Sequence, residues 1–144
     1  PPRSTLFPYT TLFRSGWLSH LLPLYLKKAY RNDPLFTNAK VVLSLYNDLT
    51  TETFNENMRS KVLTGGMKPK DVEFLAEPDA VNLAKTAIEY SDGVILANPD
   101  VDPALPEFAK SLNLPVLPFI DPQDPESTYI TDYNRFYEKI LETK

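Results

Sequence analysis

The sequence predicts an α/β domain with a mainly parallel β-sheet. Three short apolar runs without polar alternation, at residues 41–45, 94–97 and 116–119, are typical of strands covered on both faces. Segments with helical periodicity alternate with these runs, which is the pattern of βαβ units. The 144 residues include 42% hydrophobic and 24% charged residues, a balance typical of one folded domain. Three strands are too few for a complete domain of this class, so we expect N-terminal strands to be missing.

The first half of the chain predicts a helix, a strand and a second, weaker helix. Residues 17–31 carry apolar side chains at three- and four-residue spacings, and Pro23 predicts a kink within that helix. The first strand follows and ends at Tyr46-Asn47-Asp48. A weak helical pattern at residues 56–63 ends at Gly65-Gly66.

The second half of the chain predicts three helices and two strands. Asp79 is predicted to cap the helix before the second strand, and Asp102 the helix after it, with Pro103 at its first position. Prolines place the third strand at a sheet edge. The last helix carries a wide apolar stripe, whose helical spacing favours a core face over a surface that stacks on sugars or bases. The stripe consists of Tyr129, Ile130, Tyr133, Phe136, Tyr137, Ile140 and Leu141.

Composition excludes several function classes. The formal net charge of −4 disfavours a surface for the phosphate backbone of nucleic acids. The lack of cysteine and the single histidine, His20, exclude thiolate and multi-histidine metal sites, and a lone histidine is typical of a packing or surface residue. The four glycines fit neither a dinucleotide-binding motif nor a P-loop. No apolar run approaches the ~20 residues of a membrane span. We therefore expect a cytoplasmic protein with no metal, cofactor, nucleic-acid partner or membrane partner.

Residues 1–15 resemble a translated DNA-sequencing adapter. Codon by codon, the common adapter sequence reads as residues 5–15, and the bases just upstream read as residues 1–4. Apolar residues in this segment stand singly or in pairs, so it lacks the apolar stretch of a secretory leader. We therefore predict a non-native segment over residues 1–15 and a natural chain that begins inside a gene at Gly16.

Candidate ligand-binding residues follow the first two strands. In open parallel sheets, ligands bind beyond the carboxyl ends of the strands. Those ends are Tyr46-Asn47-Asp48 and Asn98-Pro99-Asp100. Alternatively, both segments are simple turns, because Asn, Asp and Pro satisfy local backbone groups well. No acid–base pair stands at a readable spacing, so the residues predict a cleft edge without a catalytic constellation.

Three segments, in order, resemble bacterial glycogen synthases and plant starch synthases that use ADP-glucose. Residues 16–27, GWLSHLLPLYLK, are similar to the tryptophan-containing helix of that family. Residues 40–47 stand in the place of its strand that ends in Val-His-Asn. Residues 82–95 resemble its following helix and strand. The similarity is closest to short bacterial relatives with only the N-terminal catalytic-type domain, and it covers residues 16–144.

This resemblance implies a fold and a reaction. Residues 16–144 would be the C-terminal part of a partial Rossmann-like domain, the N-terminal half of the GT-B fold, with its N-terminal strands missing. The implied activity is transfer of glucose from ADP-glucose to an α-1,4-glucan, with retention of configuration and without a metal. ADP-glucose and α-glucan are therefore the implied partners. In the family, the N-terminal domain holds mostly the glucan acceptor, and the C-terminal domain holds mostly ADP-glucose.

The resemblance also implies substrate-binding residues. Asn47 matches the family pattern as a cleft ligand, and Tyr46 replaces a histidine with a donor of different reach. Trp17 matches the family tryptophan, and we expect it to position its helix more than to touch sugar. Leu18 stands where the family has a histidine near the donor sugar, and leucine cannot donate a hydrogen bond. We predict no catalytic residue and expect this fragment alone to be inactive.

Two other functions compete with an enzyme fragment. The first is a non-catalytic single-domain relative that binds glucan or a partner in glycogen metabolism, which Leu18 favours chemically. The second is a flavodoxin-like or response-regulator domain. That class requires an acidic cluster at the strand ends and a complete five-strand sheet, and the sequence shows neither.

Overall fold

A computed structural model describes residues 10–13, 17–47, 49 and 53–142. Within these residues, the sheet has four strands in the order β1-β2-β3-β4, and their pairings are all parallel. The strands are β1 (Thr10–Phe13), β2 (Lys40–Leu45), β3 (Gly93–Leu96) and β4 (Val116–Leu117). The predicted α/β class, a partial Rossmann-like domain with a parallel sheet, is confirmed.

Strand β1 is an addition to the three strands that the sequence predicts. It lies within residues 1–15, the segment predicted to be non-native, and pairs with β2, with Thr10 opposite Lys40. The open edge of a parallel strand presents unpaired backbone groups, and a short segment with β-forming residues can satisfy them. Such pairing is made by backbone groups, which many sequences can supply. It therefore does not test whether the segment is native, and the non-native origin stays a prediction.

The first helical segment changes its hydrogen-bonding pattern along its length. A 3-10 helix (Trp17–Leu21) passes into one α-helical turn, α1 (Leu22–Leu24), and then into a π-helix (Tyr25–Ala29). Pro23 has no N–H with which to close a regular helical bond, so the predicted disturbance occurs as a change of helix type. The segment ends before the predicted boundary, where the Tyr30 N–H donates to the Tyr25 carbonyl at 2.9 Å.

Helix α2 (Met58–Val62) contributes Val62 to an apolar cluster that includes Leu83 of α3 (Ala80–Glu89). Helices α3 and α4 (Ala104–Ser111) pack on one face of the sheet. Asp79 caps α3 as predicted, because its carboxylate accepts the Asn82 N–H at 2.6 Å. The predicted cap of α4 is wrong by one residue. Pro103 takes the cap position, and the Asp102 carboxylate accepts the Ala104 N–H from one residue further out, at 2.9 Å.

Helix α5 (Tyr129–Glu142) packs on the opposite face of the sheet. Gly93 allows this close approach, since a Cβ there would lie 2.7 Å from Ile140 Cδ1. The predicted apolar stripe of α5 is too wide. Phe136 and Ile140 are buried, whereas Ile130 and Leu141 are 73% and 50% exposed.

Side chains of the central strands alternate between the two faces of the sheet. Val42 and Ile95 pack under α5. Leu43 and Val94 pack under α3 and α4, in the largest apolar cluster. Burial on both faces is what the unbroken apolar strands predict.

A third apolar cluster lies between the first helical segment, α3 and a 3-10 helix (Pro69–Ala76). Asp71 ties these elements together at the surface of the cluster. Its carboxylate accepts the Lys68 N–H at 2.8 Å and pairs with Lys28 at 2.9 Å. Its carbonyl accepts the Tyr90 hydroxyl at 2.9 Å.

Among the helices that the structure describes, none is long and apolar enough to cross a membrane.

Gly65 and Gly66 provide a matched test of this packing. Both have positive φ, +58° and +81°, so alanine at either site is strained by about 1 kcal/mol. At Gly65, the new Cβ would also lie 2.8 Å from Ala29 Cβ, whereas at Gly66 it meets nothing within 4 Å. We expect Gly65→Ala to lower the free energy of unfolding by about 2–4 kcal/mol and Gly66→Ala by about 1 kcal/mol, measured by urea denaturation. Adding Ala29→Gly should restore part of the Gly65→Ala loss, and equal losses for the two single variants would contradict this packing.

Asp71 predicts a loss of stability in acid. The Lys68 N–H and the Lys28 ammonium hold the pKa of this carboxyl below its usual range, although burial opposes them. A carboxyl whose pKa is lowered by folding stabilises the protein above its unfolded pKa and loses that effect as pH falls through the folded one. The urea concentration that half-unfolds the wild type should therefore decrease as the pH is lowered below about 4. The Asp71→Asn variant should be less stable than the wild type at pH 7, and its urea midpoint should decrease less in acid. The control Asp100→Asn, at an exposed carboxylate, should keep the wild-type dependence of the urea midpoint on pH.

Candidate functional site

The carboxyl ends of β2, β3 and β4 meet at one edge of the sheet, which we call the carboxyl edge. Leu45 pairs with Leu96, and Ile95 with Leu117, so the three strands end nearly level. The Ala97 N–H donates to the Leu45 carbonyl at 2.8 Å, which carries this pairing one residue beyond β3. The structure thus brings the two predicted strand ends together.

Two carboxamides stand at the carboxyl edge. Asn47 is exposed and Asn98 is half-buried. Within the described part of the chain, neither side chain makes a hydrogen bond, unlike Asp79 and Asp102, which accept backbone N–H groups. The two carboxamides therefore retain donors and acceptors for a ligand. Asp48, the third residue of the first predicted strand end, lies outside the described residues.

Tyrosine rings of α5 extend this edge. The Tyr129 and Tyr133 ring centroids are 4.2 Å apart with the planes tilted by 39°. Tyr137 meets Tyr133 edge-on at 6.2 Å. Burial and a hydrogen bond with Tyr129 raise the pKa of Tyr133, and the nearby phenol of Tyr46 adds to this shift. Tyr133 therefore keeps its proton at neutral pH, beside the end of β2.

We call Tyr46, Tyr129, Tyr133 and Tyr137 the tyrosine cluster. The sequence favoured a core role for the three helical tyrosines, and Tyr133 and Tyr137 do pack partly against the apolar cluster under α5. The sequence missed that the phenol of Tyr46 lies near enough to Tyr133 to help raise its pKa. Tyr46 and Tyr133 are far apart along the chain, so no local spacing could indicate their proximity.

The carboxyl edge combines half-buried tyrosine rings with two carboxamides that make no hydrogen bond within the described ranges. Such a surface can stack on an apolar ring face while hydrogen-bonding to polar groups at its rim. Residues 46–47, 97–100, 118–121 and 129–133 contain no lysine, arginine or histidine. These residues therefore supply no positive charge to a departing phosphate.

The remaining residues singled out by the sequence, Trp17, Leu18 and His20, belong to the first helical segment. The backbone of Trp17 begins the first helical segment shortly after β1, but the side chains of Trp17 and Leu18 lie outside the described residues. His20 is buried, with 4% of its surface exposed, as expected for a packing residue. No group of three or more His, Asp or Glu residues within the described ranges is placed to hold a metal ion.

Comparison with known proteins identifies a family. The family model described as starch synthase catalytic domain matches residues 12–102, more than half of the chain. Neither a comparison with curated proteins nor one with solved structures gives a match. The matched range contains β2, β3 and the polar residues that follow them, in the order that the sequence resemblance predicts. The chain therefore belongs to the starch synthase catalytic domain family, a family of glycosyltransferases.

Proposed function

We propose that this chain is a fragment of a hexosyltransferase that transfers glucose from ADP-glucose to an α-1,4-glucan. We further propose that the carboxyl edge binds the glucan acceptor. One observation carries this proposal: the carboxamides of Asn47 and Asn98, which make no hydrogen bond within the described part of the chain, follow strand ends beside the tyrosine cluster. Family membership supports the transferase class. Residues 16–144 would then be the C-terminal part of a catalytic-type N-terminal domain in a cytoplasmic enzyme.

Glucan is the substrate best matched to the chemistry of this edge. A glucose ring has a face of C–H groups and a rim of hydroxyls, so it suits an aromatic surface with hydrogen-bonding side chains beside it. Asn47 and Tyr46 are the proposed contacts at the end of β2, and Trp17 is proposed to position the segment beside them. Tyr129 is the proposed stacking residue, because it starts α5 and is the outer ring of its pair with Tyr133.

The donor side of the reaction needs groups that the carboxyl edge lacks. Departure of ADP requires positive charge or hydrogen-bond donors at its phosphates. Among the described residues, 46–47, 97–100, 118–121 and 129–133 include no cation, and the adjacent Arg135 is paired with Asp132 at 3.4 Å. Leu18 stands where the resemblance implies a family histidine. We therefore propose that this chain alone binds glucan without transferring glucose to it.

A non-catalytic glucan-binding relative is the second candidate. The lack of a cation for the donor phosphates and the leucine at position 18 both favour it, because glucan binding needs neither that cation nor that histidine. An assay of labelled ADP-glucose incorporation into glycogen, applied to the protein encoded by the complete gene, separates the two candidates. Incorporation above a heat-denatured control supports the enzyme, and its absence together with retained glucan binding supports the relative.

Glucan binding by the chain can be measured with maltoheptaose by isothermal titration calorimetry. We expect Asn47→Ala and Tyr129→Ala each to weaken binding about three- to tenfold, since one stacking or hydrogen-bonding contact contributes about 0.5–1.5 kcal/mol. Asn134→Ala is the matched control, because Asn134 is an exposed carboxamide elsewhere on α5. Equal affinities for all three variants and the wild type would contradict glucan binding at the carboxyl edge.

The proposed non-native origin of residues 1–15 has a direct test. Independent, adapter-free sequencing reads across the parent locus should lack the codons for this segment and continue upstream of Gly16 with a different sequence. In that sequence, we expect a strand with apolar residues on both faces where β1 now pairs with β2. Persistence of the same codons in such reads would show that the segment is natural.

A further inference from the structure

A polar cavity of about 340 Å³ lies beside the end of the π-helix, away from the carboxyl edge. The Gly65-Gly66 turn and the start of the 3-10 helix Pro69–Ala76 form its other walls. Lys28, one of the lining residues, directly follows Lys27, which pairs at 2.7 Å with Asp92, the residue before β3.

The cavity concentrates positive charge in an acidic protein. The chain has a formal net charge of −4, yet four cationic side chains and one carboxylate line this space. The cations are Lys28, Arg31, Lys68 and Lys70. The carboxylate belongs to Asp71, so the lining carries a formal charge of +3.

The single carboxylate is already used within the fold. Asp71 pairs with Lys28 at 2.9 Å and accepts the Lys68 N–H at 2.8 Å, so it neutralises the cation that lies deepest. In the described ranges, Arg31, Lys68 and Lys70 form no ion pair. These three exposed cations outnumber the one carboxylate of the lining, which already pairs with Lys28 and whose pKa Lys70 also helps to lower. The excess of positive charge favours an anion between them.

The glycine turn adds backbone donors to the same space. Gly65 and Gly66 both have positive φ and place no side chain in the cavity. Their N–H groups donate no hydrogen bond to any part of the chain that the structure describes. Backbone N–H groups of such turns bind phosphate oxygens well, because they approach closely and carry partial positive charge.

We propose that this cavity binds a phosphate group, either as free phosphate or as a small phosphate monoester. Arg31, Lys68 and Lys70 supply charge-assisted hydrogen bonds, and the Gly65-Gly66 amides contact the remaining oxygens. A volume of about 340 Å³ accommodates a phosphate with only a small attached group. The site is separate from the carboxyl edge, so it stands or falls independently of glucan binding.

Two-dimensional ¹H–¹⁵N NMR titrations of the whole chain test this proposal. Sodium phosphate and glycerol 3-phosphate are the two probes, each added at constant ionic strength against sodium chloride. We expect saturable shifts of the Gly65 and Gly66 amide signals with at least one probe. The probe that binds more tightly identifies the source of the phosphate group. The absence of saturable shifts with both probes would overturn the proposal.

Two double variants distinguish phosphate binding in the cavity from non-specific attraction of the anion by the net charge of the protein. Lys68→Gln combined with Lys70→Gln should weaken binding roughly tenfold or more, because two charged contacts are lost. Lys61→Gln combined with Lys110→Gln changes the net charge equally at two exposed lysines outside the cavity and should bind like the wild type. Equal weakening in both pairs would overturn the proposal. The glycerol 3-phosphate and phosphate affinities should be unchanged in Asn47→Ala, which separates this outcome from that of glucan binding.

Discussion

Asp92 fixes the two central strands against each other, and the rest of the structure depends on that register. Its main-chain N–H donates to the Val41 carbonyl at 2.7 Å, and its carboxylate accepts the Val41 N–H at 2.7 Å. The same carboxylate pairs with Lys27 at 2.7 Å, which attaches the first helical segment to the start of the sheet. Val42 consequently pairs with Gly93, and each later pair follows in step. A slip of one residue would turn every buried side chain of β2 to the opposite face.

This register determines both the packing and the candidate site. Gly93 directly follows Asp92 and lies under Ile140, so the position without a side chain coincides with the closest approach of α5. At the other end of the strands, the register brings Tyr46 and Asn98 to the same edge. The tyrosines of α5 reach this edge because the helix is seated by Phe136 and Ile140 on Val42 and Ile95. The Asp92–Val41 hydrogen bonds at the amino ends of β2 and β3 thus determine which polar residues meet at the carboxyl ends.

Features with a local cause were predictable from the sequence. The apolar runs give β2 and β3, and the Asp79 side chain stands at the right distance from the Asn82 N–H to cap α3. Features that depend on distant parts of the chain were not. Strand β1 forms because a sheet edge is available, and the exposure of Ile130 depends on which face of α5 meets the sheet. The proximity of Tyr46 to Tyr133, and the gathering of cations around the Gly65-Gly66 turn, likewise arise only in the folded chain.

We propose that the glucan acceptor binds at the carboxyl edge of this glycosyltransferase-family domain. Mapping amide chemical shifts during a maltoheptaose titration tests it most directly, because the map reports where the sugar lies. We predict saturable shifts clustered at residues 46–47, 97–98 and 129–133, with Gly65 and Gly66 unchanged. Saturable shifts confined to other surfaces, or no saturable shifts at all, would contradict the account.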